Sequence, residues 1–407
     1  MTAPSNILLL YCARGVRGFG DGFATIVLPA YLTLIGYDPI QIGIVATASL
    51  LGTALFTLAV GAIAPRHDLR TLMLGGACLM VLTGLAFPVF SDVAIVALVA
   101  FIGTINPSTG DLGVLVPLEH AMLARDAEDQ QRTRTFARYS LIGALSMAVG
   151  SLAAATPDFL ASFGLDKLAG FKIMFYGYAA LGLLSAALYR ALPHAQMAQA
   201  PPQAPLGPSR GIVFKLAALF SIDAFAGGFV VQSLLALWLF QRFDLSISAA
   251  SLFFFWATTL SAFSYPVAAW LARRIGLVNT MVFTHIPSSA FLILAAFSPN
   301  LYLTLALLLL RSALSQMDVP TRTSYTMAVV TPAERPAAAS VTAVPRSLAS
   351  ALGPVFAGVF LTTAFPGLPL VVCGTLKIAY DLALLFSFRH IKPPEELAAT
   401  TATASKR

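Results

Sequence analysis

The residues of this chain that are best suited to chemistry are charged side chains inside apolar segments. Arg14, Arg17 and Asp21 share one such segment at spacings of three and four, which places them on one face of a helix. Because a charge in hydrocarbon is costly, each should face a partner or a water-filled cavity. Seven bases and six acids occupy such positions: Arg14, Arg17, Arg138, Arg311, Arg322, Arg346 and Lys377, with Asp21, Asp111, Glu119, Asp223, Asp318 and Asp381.

Sequence position offers partners for several of these charges. The first and fourth apolar segments run in opposite directions, so Arg17 is expected to pair with Asp111 or Glu119. In the second half of the chain, Asp223 lies at the position that corresponds to Arg17, and it carries the opposite charge. Its expected partner is Arg322. Two interpretations stay open: the pairs only neutralise each other and hold the helices together, or some of them handle substrate and protons.

Asp21 is the first candidate for carrying a proton, and Asp111 is the next. Asp21 lies between Gly20 and Gly22 in the middle of its segment, where a desolvated carboxylate can bind and release a proton as its access to water changes. The alternative is a structural ion pair with Arg17, four residues earlier. The candidates for the walls of a substrate cavity are Arg17, Asp223, Arg311, Asp318 and Arg322.

Two other features receive structural interpretations. Lys377 and Asp381 are four residues apart, so they are expected to neutralise each other on one helix face. His285 is a lone histidine in an apolar segment and is expected to be hydrogen-bonded in the core. A substrate site for the lysine and the aspartate, and a functional role for the histidine, are the alternatives.

The elements that must position these charges are membrane helices. Hydrophobic residues make up 58% of the 407 positions and charged residues only 11%, against about 25% charged in an ordinary soluble domain. The apolar runs resolve into twelve segments, each close to the ~20 residues that span a bilayer. We therefore predict an all-α integral membrane protein with spans near residues 7–35, 39–64, 69–90, 93–123, 132–156, 168–192, 212–240, 247–272, 278–298, 301–330, 337–364 and 367–389.

The chain also repeats itself at a separation of half its length. Three correspondences keep this register: residues 19–23 (FGDGF) with 225–229 (FAGGF), Asp111 with Asp318, and Arg138 with Arg346. Two equal membrane halves are typical of secondary transporters, whose two bundles rock about a central site. We predict two six-helix bundles, 1–192 and 212–391, joined by a proline-rich cytoplasmic linker, 193–211, and followed by a disordered cytoplasmic tail, 392–407.

Positive charge is distributed unequally between the two sides of the membrane. Fifteen lysines and arginines fall on the side of the termini, and only Lys167, Lys172 and Arg242 fall on the other side. Both termini are therefore predicted to be cytoplasmic. The net charge of +7 then reflects orientation in the membrane and does not indicate a nucleic-acid partner. The expected location is the inner (plasma) membrane, and the expected state is a monomer.

The loop between the second and third segments carries a degraded form of a known signature. Gly61, Arg66 and Arg70 match a Gly-x-x-x-Asp-Arg-x-Gly-Arg-Arg loop, and Arg273 and Arg274 keep its basic pair in the second half. With its twelve segments and its repeat, the chain resembles the major facilitator superfamily over essentially its whole length. The resemblance implies two pseudo-symmetric six-helix bundles, a conformational latch at this loop, and a cavity lined by the first, fourth, seventh and tenth helices.

The resemblance also implies a function, namely secondary active transport of a small organic solute by alternating access. The length and helix number are similar to those of the drug and metabolite exporters of the superfamily. This favours proton-coupled export, with the solute, the proton and the lipid bilayer as partners. Cavity arginines, which bind carboxylates and phosphates in a bidentate fork, keep an organic-anion carrier as the alternative.

Other classes of protein lack their motifs here. The chain has no His-Glu-x-x-His and no Gly-x-x-x-x-Gly-Lys-Ser/Thr loop, which argues against a zinc enzyme and an ATP-driven pump. A channel needs a paired pore motif, whereas residues 106–108 (NPS) stand alone. This run is instead typical of a broken helix that frees backbone groups toward a cavity. No catalytic residue, cofactor or metal ligand is expected.

Overall fold

A computed structural model describes residues 3–108, 113–127, 132–196 and 206–391, and the fold in these ranges is built from helices without a strand. An isolated bridge joins Asp68 and Gln196, and short 3-10 turns occupy Ala64–Arg66 and Pro332–Glu334. The helices are α1 (Ala3–Leu34), α2 (Pro39–Ile63), α3 (Leu69–Ala86), α4 (Val93–Ile102), α5 (Leu115–Asp126), α6 (Arg132–Ala153), α7 (Thr156–Ser162), α8 (Lys167–Arg190), α9 (Arg210–Gly228), α10 (Gln232–Phe243), α11 (Ile247–Ile275), α12 (Leu277–Phe297), α13 (Leu301–Ser315), α14 (Asp318–Ala328), α15 (Arg335–Leu361) and α16 (Leu368–Phe388).

The helices have the length and composition of membrane spans. Nine helical stretches in the described ranges are long and apolar enough to cross a bilayer. Aspartates at Asp38, Asp68, Asp92 and Asp166 cap α2, α3, α4 and α8 through backbone N–H groups of the first turn, as helix N-termini require. The all-α membrane class predicted from the sequence is confirmed.

Three of the predicted spans are each divided into two helices. The fourth span becomes α4 and α5, the seventh becomes α9 and α10, and the tenth becomes α13 and α14. The fourth is interrupted ahead of Pro107, which has no N–H to donate and restrains the residue before it. The seventh is interrupted where Val231 takes an extended conformation, directly before α10.

Contacts divide the described residues into two compact units, each with its own buried core. The first core surrounds Met73 and Tyr139, and the second surrounds Phe220 and Met281. The units are the described parts of Met1–Gln199, Val230–Thr259 and Ala351–Pro366, and the described parts of Ala200–Phe229, Leu260–Ser350 and Gly367–Arg407.

Glycines bring α1 and α6 close together in the first unit. A Cβ atom added at Gly22 would lie 2.1 Å from the carbonyl oxygen of Met147, and one added at Gly150 would lie 2.1 Å from that of Phe19. Small residues commonly allow membrane helices such close approach. This contact fixes the rotation of α1 and hence the direction in which its charged face points.

We expect Gly22→Ala to lower the thermal stability of the purified protein, because the new methyl group meets backbone atoms of α6 that have no room to move. Overpacking of this kind costs about 1–3 kcal/mol. Gly177→Ala on α8 is the matched control, since nothing lies within 4 Å of its added Cβ atom. A Gly22→Ala protein that melts with the control variant would contradict this packing.

Candidate functional site

The first unit buries one arginine against a carboxylate that is also bound by two tyrosines. Arg17 on α1 donates to Glu119 on α5, and Glu119 accepts further hydrogen bonds from the hydroxyl groups of Tyr139 and Tyr189. The side chain of Glu119 is completely buried. Of the two partners that the sequence offered for Arg17, the structure brings Glu119 to it, while Asp111 lies outside the described residues.

Asp21 lies one helical turn from Arg17 but does not pair with it. In the described part of the chain the Asp21 carboxylate forms no ion pair, and it accepts a long hydrogen bond of 3.5 Å from the Tyr178 hydroxyl. That hydroxyl lies 3.0 Å from the hydroxyl of Thr104. The alternative interpretation of Asp21 as the ion-pair partner of Arg17 is wrong, because Glu119 holds the guanidinium group.

Arg17 and Asp21 both line a recess in the first unit. Water-sized molecules can occupy only about 30 Å³ of it, and its walls include Phe56, Met80 and Tyr178. Sites for small molecules typically measure ~300–1,000 Å³ and combine apolar walls with a few polar groups. The recess shares this mixed lining, and its volume is much smaller.

The interruption between α4 and α5 borders this recess. The carbonyl oxygen of Ile105 accepts from the Ser49 hydroxyl, and that of Pro107 accepts from the Ser233 N–H at 3.1 Å. These freed carbonyl groups are thus satisfied by neighbouring helices, which is how broken membrane helices are tolerated. These two carbonyl groups are therefore not free toward a cavity, and Thr104 of the interrupted segment lines the recess.

In the second unit, one buried carboxylate is shared by two cations. Asp223 on α9 accepts from Arg322 on α14 at 3.2 Å and from Lys377 on α16 at 2.6 Å. Arg322 also pairs with Asp318, four residues earlier, at 3.0 Å. The pair of Asp223 and Arg322 that the sequence suggested is present, and Lys377 is an additional partner.

Asp381 on α16 belongs to the same group of residues through a histidine. Both of its carboxylate oxygens lie 3.1 Å from Nδ1 of His285 on α12. The expected pair between Lys377 and Asp381 is wrong, because Asp223 takes Lys377 and His285 takes Asp381. The interpretation of His285 as a hydrogen-bonded core histidine agrees with the structure.

Two arginines of the second unit have no ionic partner in the described ranges. These are Arg311 on α13 and Arg346 on α15, and the Nε atom of Arg346 is buried without a hydrogen-bond partner. Arg346 lies close enough to Arg322 for the two like charges to repel. Among the described residues, neither guanidinium group is therefore neutralised by a carboxylate in direct contact.

The predicted latch residues lie at the ends of helices. Gly61 has open space around it in the last turn of α2, and the guanidinium group of Arg274 stacks on the Trp270 ring at 4.3 Å from its centroid. The remaining three are in a 3-10 turn, in the first turn of α3 and in the last turn of α11: Arg66, Arg70 and Arg273. Their action as a latch stays a prediction.

Asp68 ties the loop before α3 to the chain that follows α8. Its carboxylate accepts from the backbone N–H of Thr71 at 3.0 Å and from that of Ala195 at 2.7 Å, and it lies 3.0 Å from Nδ1 of His194. Burial raises the pKa of Asp68, but the hydrogen bonds from Ala195, Thr71 and His194 outweigh it and hold the pKa below its usual range.

Glu334 makes a similar anchor in the second unit. It accepts from the hydroxyl of Ser209 at 2.6 Å, from the hydroxyl of Thr331 at 2.7 Å and from the N–H of Gly207. These hydrogen bonds, led by that of Ser209, lower the pKa of Glu334 to about 2. A carboxyl group with a lowered pKa stabilises the folded protein above its ordinary pKa, and this stabilisation is lost as the pH falls through the lowered pKa. Both contacts therefore stabilise the fold at neutral pH.

Comparison with known proteins identifies the class to which this fold belongs. The chain is a member of the Major Facilitator Superfamily, which matches residues 10–241 and 216–406. It is thus a membrane transporter of that superfamily. An uncharacterized membrane protein of Saccharomyces cerevisiae, YJR124C, is 24% identical over 425 residues, with 95% of this chain and 94% of that protein covered.

Solved structures share the fold at low sequence identity. The nucleoside transporter NupG is 14% identical with a TM-score of 0.72, covering 94% of this chain and 99% of that one. A D-xylose-proton symporter is 14% identical with a TM-score of 0.72, covering 93% and 97%. The human organic anion transporter MFSD10 is 16% identical with a TM-score of 0.64, covering 94% and 100%. At these identities the likeness is one of fold.

The shared carboxylate leads to a test of the second cluster. Asp223→Ala should destabilise the protein by about 3–5 kcal/mol, the usual cost of leaving a buried charge unpaired. Arg322 keeps Asp318, so Lys377 is the stranded group, and Asp223→Ala with Lys377→Met should recover much of the loss.

The measurement is thermal unfolding of the purified variants. Asp158→Ala is the matched control, because it breaks a partly exposed ion pair: the side chain of Asp158 is 23% exposed and that of Lys167 is 48% exposed. Loss of such a pair should cost no more than ~1 kcal/mol. If Asp223→Ala melts together with Asp158→Ala, the buried pair does not stabilise the fold.

Proposed function

We propose that this transporter is a secondary active carrier that exports a small organic solute in exchange for protons, with Asp21 as the proton-carrying group. The observation that supports this proposal is the state of Asp21. It lines the recess, while the arginine one turn away is held by Glu119. It is thus an acid at the recess without a cation of its own.

The physical argument compares two kinds of buried carboxylate. A carboxylate that is paired with an arginine gains little by binding a proton, because its charge is already neutralised. Asp21 has no such partner in the described residues, so binding a proton removes the cost of its charge in a low-dielectric setting. Because Asp21 also faces the recess, solute and proton compete for one carboxylate, and this competition is what exchange requires.

The setting of the carrier follows from the charge distribution of the chain. We propose that it lies in the inner (plasma) membrane as a monomer, with both termini in the cytoplasm. We also propose that 1–192 and 212–391 act as the two six-helix bundles of alternating access, with the linker 193–211 between them. The unequal loop charges support this orientation.

We expect Asp21→Asn to abolish the response of transport to an imposed pH gradient, because the amide keeps the size of the side chain and removes its titratable charge. Passive exchange of the solute should continue. The measurement is transport in proteoliposomes, using solutes that stabilise the protein in a thermal-shift screen.

The control for this variant is Asp92→Asn, which changes an exposed aspartate at the start of α4 and should leave the gradient response intact. A full response in the Asp21→Asn protein would show that Asp21 is a packing residue. Asp111 would then be the next acid to test.

A second candidate function is an organic-anion carrier, and the unpaired arginines favour it. Arg17 and Arg322 are already bound by carboxylates. Arg311 and Arg346 form no ion pair in the described ranges, and a guanidinium group binds carboxylates or phosphates strongly. The human organic anion transporter with the same fold is compatible with this candidate.

A thermal-shift screen with organic cations, neutral amphiphiles and carboxylates distinguishes the two candidate functions. If the anion carrier is correct, carboxylates raise the melting temperature of the wild-type protein, and Arg311→Gln removes that rise. Arg273→Gln, at the end of α11, is the matched control and should keep it. An equal rise in the Arg311→Gln protein would exclude Arg311 as the anion-binding group.

A further inference from the structure

His285 occupies a position between a carboxylate and an ammonium group. It is buried on α12, where its Nδ1 atom lies 3.1 Å from both oxygens of Asp381. Its Nε2 atom lies 3.4 Å from Nζ of Lys377 and 3.9 Å from Oδ1 of Asp223. Both ring nitrogens therefore face charged groups, and none of these contacts is used by the proton-carrying role given to Asp21.

The chemistry of the partners fixes the resting form of the ring. An ionised carboxylate only accepts hydrogen bonds and an ammonium group only donates them. Asp381 therefore requires a proton on Nδ1 of His285, and Lys377 requires a lone pair on Nε2. A neutral imidazole satisfies both contacts, with one proton and one free lone pair.

The charges of this hydrogen-bonded group do not balance. Two cations, Arg322 and Lys377, stand against three carboxylates. With His285 neutral, the hydrogen-bonded group alone carries one negative charge in excess, and Arg346 on α15 adds a positive charge nearby without a direct contact. The lone pair on Nε2 is the position of the ring that can accept a proton.

We propose that His285 is a second proton-binding site of the transporter, oriented by Asp381 and placed against the ion pair of Asp223 and Lys377. A proton from water adds to Nε2 and gives an imidazolium. The hydrogen bond from Lys377 to Nε2 then breaks, because both atoms now carry protons. Lys377 keeps its bond to Asp223, and the new N–H of His285 points toward the same carboxylate.

The groups around the ring all bear on this step. Asp381, Lys377 and Tyr380 face it from α16, and Asp223 faces it from α9. The neighbouring helices α13 and α14 add Arg311, Arg322 and Asp318 to the surrounding charge. Two carboxylates favour the imidazolium, and the cations, which include Arg346 on α15 close to Arg322, oppose it.

Protonation of His285 would change the link between three helices. In the neutral form, Lys377 connects α16 to both α12 and α9 through one ammonium group. In the protonated form, the new N–H of His285 on α12 points toward Asp223. This site extends proton coupling to the second unit and rests on the proposed function for its use in transport, although proton binding itself does not.

The test is nitrogen NMR of histidine-labelled protein in lipid nanodiscs, with pH varied over about 5–8, the range in which histidine titrates. The chain has five histidines, and the signal of His285 is the one that His285→Gln removes. If His285→Gln does not fold, a variant with His67, His120, His194 and His390 replaced by Gln leaves the His285 signal alone.

We expect the His285 ring to change from one protonated nitrogen to two within this range, and Asp381→Asn to move the midpoint down by about one pH unit or more, because the orienting charge is lost. A His285 signal that stays neutral throughout would overturn the proposal. So would a midpoint that Asp381→Asn leaves unchanged.

The outcome is independent of Asp21. Asp21→Asn should leave the His285 titration as it is, and His120→Gln, a histidine of α5, is the control that should not alter it either. Failure of the gradient test on Asp21 with an intact His285 titration would refute the proposed role of Asp21 alone. A His285 ring that stays neutral, together with the expected result of the gradient test on Asp21, would refute the second proton site alone.

Discussion

The cost of placing a charge away from water is the constraint on which the rest of this structure depends. Two buried carboxylates collect several donors: Glu119 binds one guanidinium group and two tyrosine hydroxyls, and Asp223 binds an arginine and a lysine. Such groups fix the rotation of their helices, because turning any one of them by a quarter turn would strand a charge. Apolar surfaces provide most of the contact area between the helices, and the charged contacts determine how the helices are rotated against each other.

The two units meet this constraint in different ways. In the first, Arg17 and Glu119 neutralise each other, and two tyrosine hydroxyls donate further hydrogen bonds to Glu119. Asp21 lines the recess and does not belong to this pair. In the second, five charged side chains and His285 form one connected group from Asp318 to Asp381. The sequence repeat therefore does not extend to the charged side chains, as the opposite signs at Arg17 and Asp223 already show.

Much of the fold and part of the site could be predicted from the sequence. Apolar length was sufficient for the membrane helices, and the depth of the charges was sufficient for the contact of Asp223 with Arg322. For Arg17 the sequence offered Glu119 as one of two partners. The contact of Lys377 with Asp223 could not be predicted, because Asp381 at four residues' distance looked like an adequate partner. Which face a helix turns to its neighbours depends on packing between distant segments, and one sequence carries no direct signal of it.

The tyrosines and one helix interruption were missed for related reasons. Tyr178 lies in a long apolar span, and only the folded arrangement shows that its hydroxyl reaches Asp21. The interruption before Pro107 has a local cause that can be read from the sequence. The interruption between α9 and α10 occurs within a continuous apolar run, so hydropathy alone does not reveal it.

The distance along the chain between charged partners has a consequence for biosynthesis. Arg17 and Glu119 are 102 residues apart and both belong to the first half, so this pair forms early during translation. Asp223 and Lys377 are 154 residues apart, and Lys377 and Asp381 both lie on α16, the last helix of the described residues. At ~5–20 residues per second, the ribosome needs about 8–30 s to complete that interval. A nascent chain that stops before α16 holds Asp223 without its lysine and His285 without its carboxylate, which makes the final helix the step that completes charge neutralisation during membrane insertion.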